Sequence, residues 1–167
     1  MNLKYKNMEI RLATKNDAEY LCKYWNESGW NISLEEAREM LSKGKEQYMI
    51  EIDERVIGDI HYGELENNVA EIGIYIRDEH EKGRGYGTLT MFIFIDALIN
   101  ILGYDKIRIA TSVDNKSMRH ISENKFGLTP IIHERAYQEQ SGTYESYAEY
   151  ILKKENWQKK FDYEVFN

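Results

Sequence analysis

From Glu81 to Thr88 the chain reads EKGRGYGT, placing Gly83, Gly85 and Gly87 around Arg84 and Tyr86 immediately before a long apolar run. Glycine is costly in an ordered chain, so such a cluster implies unusual backbone angles or close approach by another group. A P-loop is excluded, because Gly87 is followed by Thr88 and Leu89 with no lysine. The dinucleotide fingerprint is excluded too: the spacing is G-x-G-x-G, and alternating strands separated by short turns precede it. What remains is a strand, a glycine-rich turn and a helix N-terminus. Its backbone N–H groups and helix dipole suit a pyrophosphate, with Arg84 at the rim. The bland alternative is a turn made of glycine for tightness alone.

The surrounding elements read as follows. MEIRLAT alternates as a first strand, and Thr14 with Asp17 forms a capping-box pattern opening a helix to about Glu27. Ser33 with Glu36 opens a second helix, which Gly44 closes. Strands follow over Glu46 to Asp53, Arg55 to Leu65 and Val69 to Arg77, joined by short turns and therefore antiparallel. In the last of these, Ala70, Ile72, Ile74 and Ile76 share one face, and Glu71, Gly73 and Tyr75 share the other. After the glycines comes an apolar helix ending at Gly103, then a strand over Lys106 to Ser112 that should run parallel to its predecessor. A helix from Asp114 to Phe126 is capped by Gly127, and two strands over Leu128 to Gln138 and Tyr144 to Lys153 complete an α/β (α+β) mixed sheet.

Three segments resemble the GNAT N-acetyltransferase superfamily. EIGIYIRDEHEKGRGYGT is similar to its acetyl-CoA-binding signature Arg/Gln-x-x-Gly-x-Gly/Ala, with Lys82 at the Arg/Gln position and Gly85 and Gly87 at the glycines. SVDNKSMRHISENKFGL resembles the motif after the fifth strand, where Asn115 opens a helix that here runs one residue longer than usual. ERAYQEQSGTYESYAEYILKKENW resembles the last hairpin of the ribosomal-protein N-terminal acetyltransferase branch, which closes on Leu152, Glu155 and Trp157. The likeness covers roughly residues 8 to 157. It implies a GNAT fold with a central, mostly antiparallel sheet flanked by helices, and acetyl-CoA as cosubstrate.

The resemblance also implies residue roles. Lys82, Gly83, Arg84, Gly85, Tyr86, Gly87 and Thr88 would cradle the pyrophosphate, and Asn115 would contact the pantetheine or pyrophosphate region. Backbone groups of Ile74, Tyr75 and Ile76, on a splayed strand, would hold the acetyl carbonyl and pantetheine. An acyl transfer to an amine needs that amine neutral, and a lysine-like amine is about 0.1% neutral or less at pH 7, so a base helps. Glu71 is the first candidate, since the family often places a glutamate on this strand; His61, Glu64 or a water chain are alternatives. The departing thiolate benefits from a proton. The family's usual tyrosine is replaced by the SEN context, which leaves Ser122 at or near that place, with Tyr137 or Tyr147 as substitutes. Acceptor recognition falls to YWNESGWNIS and the final hairpin, with Tyr24, Trp25, Trp30 and His61 as lining candidates. Aromatics at helical spacing also suit a core.

Composition narrows the rest. The 167 residues are 42% hydrophobic and 31% charged, which fits one domain over 1–167 and argues against disorder. A formal net charge of −7 disfavours nonspecific nucleic-acid binding. The single cysteine, Cys22, cannot form an intramolecular disulfide and reads as a buried thiol in a helix. Four scattered histidines lack ligand spacing, so no metal site is expected. MNLKYKNMEIRL has no apolar core for a signal peptide, and Leu89 to Leu102 is too short for a membrane span and contains Asp96. A cytoplasmic protein is expected. The acceptor is expected to be a protein N-terminus or a cationic small amine such as a polyamine or aminoglycoside. A homodimer is plausible on the resemblance. The competing reading is an acyl-CoA-binding sensor without turnover.

Overall fold

In a computed structural model, which describes residues 1–139 and 141–167 and all their side chains except that of Tyr137, nine strands form one mixed sheet. In chain order these are β1 (Asn2–Tyr5), β2 (Met8–Leu12), β3 (Gln47–Ile52), β4 (Arg55–Leu65), β5 (Val69–Ile76), β6 (Lys106–Ser112), β7 (Ile131–Gln138), β8 (Tyr144–Lys153) and β9 (Glu164–Phe166). Their spatial order is β7-β8-β6-β5-β4-β3-β2-β1-β9. β5 and β6, joined through a helix, run parallel, and every other neighbouring pair described is antiparallel.

Four α-helices flank the sheet: α1 (Ala18–Glu27), α2 (Leu34–Lys43), α3 (Tyr86–Asn100) and α4 (Lys116–His120). Both capping boxes form as expected, Thr14 with Asp17 before α1 and Ser33 with Glu36 at α2. The side chains of α3 from Thr90 to Ile99 are buried, which accounts for the near-continuous apolar run. No helix among the described residues is long and apolar enough to cross a membrane. α3 packs on Ile10, Ile50, Ile60, Ala70, Ile72, Ile107, Ile109 and Tyr150, all from one face of the sheet. α1 and α2 pack on the other, where Leu21, Cys22, Ala37 and Leu41 surround Met49. The two-residue strand period thus sends Ile74 and Ile76 toward α3, and Glu71, Gly73 and Tyr75 toward the α1–α2 side.

The structure adds two strands that the sequence pattern did not supply. β1 forms a hairpin with β2, and β9 pairs with β1 as an outer edge. The segment leading to β9 is latched by Asp96, a buried carboxylate in α3. It accepts hydrogen bonds from Trp157 Nε1 and Tyr163 Oη, each at 2.7 Å, and from Asn100 Nδ2 at 2.8 Å. Burial, then the Asp96 carboxylate, pushes the Tyr163 phenol well above its ordinary value.

Candidate active site

The parallel pairing of β5 with β6 covers Val69↔Lys106, Ala70↔Ile107, Glu71↔Arg108 and Ile72↔Ile109, and then stops. Beyond Ile72, β5 stays paired to β4 as far as Ile76, and β6 stays paired to β8 as far as Ser112. The two strands therefore diverge, and the β6-facing edge of β5 is free from Gly73 to Ile76. In a strand every second residue aims its N–H and C=O at the same neighbour, so this edge offers unused backbone donors and acceptors. Ile74, Tyr75 and Ile76 lie along it.

The glycine turn leads from the end of β5 to α3. Gly83 (φ 73°) and Gly85 (φ 87°) occupy left-handed conformations that disfavour any Cβ. Gly85 is the N-cap residue of α3, so no side chain caps that terminus, and no acidic residue lies in the first turn. The leading N–H groups are left for an outside acceptor, which is the condition for binding a phosphate. Buried Glu81 anchors the turn, accepting from Arg55 Nη2 at 2.5 Å and Arg84 Nη1 at 2.8 Å. Arg84 and Lys82 are exposed, with Lys82 paired to Glu79. Tyr86 and Thr88 lie in the first turn of α3.

Across the divergence, Asn115 caps α4, its Oδ1 accepting from the N–H of Met118 at 3.1 Å. After His120 the helix widens into a π-helical turn over Ile121–Lys125. Such single π-helical turns within a helix are often found at functional sites. Ser122 lies in that turn, fully buried, and among the described residues its Oγ has no hydrogen-bond partner. A buried hydroxyl is ordinarily hydrogen-bonded, so this one is an exception within the core.

On the α1–α2 side a cavity of about 120 Å³ is lined by Trp25, Ser28, Trp30, Gln47, Asp59, His61, Tyr75 and Arg77. A neighbouring one of about 180 Å³ shares Trp25, Trp30, Gln47 and His61 with it. Trp25 and Trp30 stack at 5.3 Å. Tyr24 does not line the slot but backs it: the Arg77 guanidinium lies between the rings of Tyr24 and Tyr75, 4.4 and 4.2 Å from their centroids. Arg77 also donates through Nε at 2.8 Å to Asp59, a buried carboxylate that accepts from Gln47 Nε2 at 3.3 Å. His61 stands opposite Gly73 in the β4–β5 register, its ring over the glycine backbone. Burial pushes its imidazole below the usual 6.5, with Asp59 pulling it up and Arg77 pushing it down.

The remaining candidates are placed as follows. Glu71 is engaged by Arg108, its register partner on β6, and Arg108 also reaches Glu149 on β8. Tyr147 stacks on His133 at 4.4 Å. Tyr137 belongs to β7, but its side chain lies outside the described residues, and no role is assigned to it. Asp59, Arg77, Glu81 and Arg108 were missed by the sequence reading. Each acts through a partner on another strand or turn, which spacing along the chain does not reveal.

A family model for the acetyltransferase (GNAT) domain matches residues 7–129. The chain belongs to the GNAT acetyltransferase family. It is by that membership an acetyl-CoA-dependent N-acetyltransferase. No curated protein matches by sequence. Solved structures agree on the fold. An acetyltransferase (GNAT family) from Bacillus anthracis superposes with a TM-score of 0.77 at 14% identity, covering 93% of this chain and 99% of its own. A spermidine N-acetyltransferase from Vibrio cholerae gives 0.74 at 18%, covering 90% and 95%. RimL, a ribosomal alpha-N-protein acetyltransferase solved in complex with coenzyme A, also gives 0.74 at 18%, covering 89% and 95%. The GNAT fold implied by the sequence is thus present, and the neighbours include the ribosomal-protein type that the last hairpin resembles.

Proposed function

We propose that the protein transfers the acetyl group of acetyl-CoA directly to a primary amine, and that a protein or peptide N-terminus is the acceptor class. The observation that carries this reading is the end of β5–β6 pairing at Ile72↔Ile109. It opens a backbone edge between an uncapped helix N-terminus and an aromatic slot on the opposite face. Pyrophosphate sits on the turn from Lys82 to Thr88, the acyl carbonyl and pantetheine lie along Ile74 to Ile76, and Asn115 bounds the far side. Ser122 donates the proton that the departing thiolate takes up; its buried, unpartnered hydroxyl supports that role. Glu71 shapes the charge of the site through Arg108. Two copies pairing through the last hairpin, where Ile131, Ile132 and Tyr144 are exposed, and a cytoplasmic location complete the reading.

The slot also favours one acceptor class. Its buried carboxylate, Asp59, is already neutralised by Arg77, which leaves Glu46 as the one further acidic residue lining the two cavities. Polyamines and aminoglycosides carry several charges that would each want a carboxylate, whereas an N-terminal residue presents one amine and a side chain for the Trp25–Trp30 wall.

Calorimetric titration of acetyl-CoA into the native protein and a Gly85→Asp, Gly87→Asp variant tests the cosubstrate site. Micromolar binding to the native chain, lost in the variant, is expected; no binding to folded native protein refutes the reading. Coenzyme A release with N-terminal peptides, spermidine and an aminoglycoside then ranks acceptors. Binding with no release from any of them leaves the sensor.

A further inference from the structure

The proton lost by the attacking amine needs an acceptor on the slot side of the sheet. Glu71 is on that face, but its carboxylate is held by Arg108, which also bridges to Glu149. Any protonation there must first break an ion pair. His61 has the opposite circumstances. It lines both cavities of the slot. It faces Gly73, the first residue past the last β5–β6 pair, where the acyl group is to lie. The fit there is close: a Cβ on residue 73 would come within 2.4 Å of His61 Cε1 and 2.8 Å of Nε2, so the ring lies against the bare backbone. Among the described residues neither ring nitrogen has a hydrogen-bond partner.

We propose that His61 accepts the proton from the acceptor amine, a step that rests on the acetyl-transfer reading above. The amine nitrogen attacks the thioester carbonyl carbon, and the C–N bond forms as the C–S bond breaks. The N–H proton passes to a nitrogen of the His61 ring and from there to solvent. Coenzyme A departs as the thiolate and regains one proton through Ser122, which is replenished from solvent, so the sum is amide plus thiol.

The electrostatics suit this task. The charged or titratable groups facing the ring are Asp59 on its own strand, Tyr75 on β5, Arg77 just beyond it, and Glu46 before β3; α1 and the turn after it offer only Trp25, Ser28 and Trp30. Asp59 is neutralised by Arg77, so burial prevails and the imidazole is neutral at pH 7. A base of that strength needs an acceptor already substantially neutral. A terminal α-amine, with its pKa near 7.7–8.0, is about 10–20% neutral at pH 7, against about 0.04% for a lysine-like amine. The identity of the base thus reinforces the choice of a terminal amine.

The test is the pH dependence of kcat/KM between 5 and 8.5 with an N-terminal peptide, for native protein, His61→Gln and Glu71→Gln. In the native profile the log-rate slope is one below the amine's pKa and steepens to two below His61's, at a pH under 6.5. His61→Gln is expected to lose about 10²-fold or more and to hold a slope of one throughout, while binding acetyl-CoA with native affinity by calorimetry. Glu71→Gln is expected to keep the steepening. A His61→Gln protein that keeps it, or a Glu71→Gln protein that loses it, overturns the proposal. Acetyl-CoA binding without turnover of any peptide would sink the acetyl-transfer reading and this one with it. Should His61→Gln not fold, NMR titration of the native histidines decides: a His61 midpoint at or above 6.5 overturns the assignment.

Discussion

Gly73→Ala is the most incisive single perturbation of this site. The added methyl carbon would sit 2.4 Å from His61 Cε1, whereas ordinary contact begins near 3.4 Å, so one partner must yield by about 1 Å. The backbone of Gly73 is fixed by its pairing to β4, and the imidazole is the end of a side chain, so the ring moves. A displacement of that size at a reacting group costs about 10²-fold in rate, equivalent to about 2.7 kcal/mol of barrier. The glycine turn and the N-terminus of α3 are untouched, so acetyl-CoA affinity should stay native. Stopped-assay kcat, calorimetric Kd and thermal unfolding on one preparation give all three quantities. If Gly73→Ala folds, binds acetyl-CoA and retains kcat within about twofold, the ring over residue 73 is not poised at the reacting atoms and the geometric argument fails.

Other expectations follow from buried polar groups. Ser122→Ala should lower kcat at least tenfold yet leave the protein equally or more stable, because the native hydroxyl has no partner to lose; a drop in unfolding temperature would show a structural bond instead. Asp96→Leu strands the indole N–H of Trp157 and the phenol of Tyr163, costing about 2–4 kcal/mol, read as a lower unfolding midpoint and a shifted tryptophan emission. Asp17 is held below its ordinary 3.8: burial opposes the charge, but bonds from Arg11 and the Thr14 backbone outweigh it. Its contribution is therefore full above the unfolded value and lost as pH falls through the lower folded value. The stability gap between native and Asp17→Asn proteins should close as pH drops below about 4, and a gap constant from pH 6 to 3 would refute the linkage.

What the sequence disclosed and what it withheld divide along physical lines. Capping boxes, the alternation of β5 and the apolar length of α3 are local signals, and each produced the expected element. Of the three clustered glycines, Gly83 and Gly85 take the positive φ that their spacing in the sequence suggested. The helix after Asn115 was legible as one element, but its widening into a π-helical turn from Ile121 was not, since no local pattern marks that change of hydrogen bonding. β9 was not legible, because three exposed residues gain a strand only from β1 at the opposite end of the chain. The same is true of Arg108: its link to Glu71 and Glu149 depends on register across three strands. A carboxylate that looks free in the sequence proves to be engaged in space.

The divergence of β5 and β6 has a mechanical side. Only four residue pairs hold the strands from β9 to β5 to the group formed by β6, β8 and β7 within the sheet. Along Gly73 to Ile76 the seam is open. On the proposed reading, pantetheine lies in that seam as a borrowed strand, so the cosubstrate stitches the two half-sheets together and its departure unpicks them. Amide hydrogens on either side of the seam should then exchange more slowly when acetyl-CoA is bound, and the free protein should be the looser of the two, hinged where its chemistry takes place.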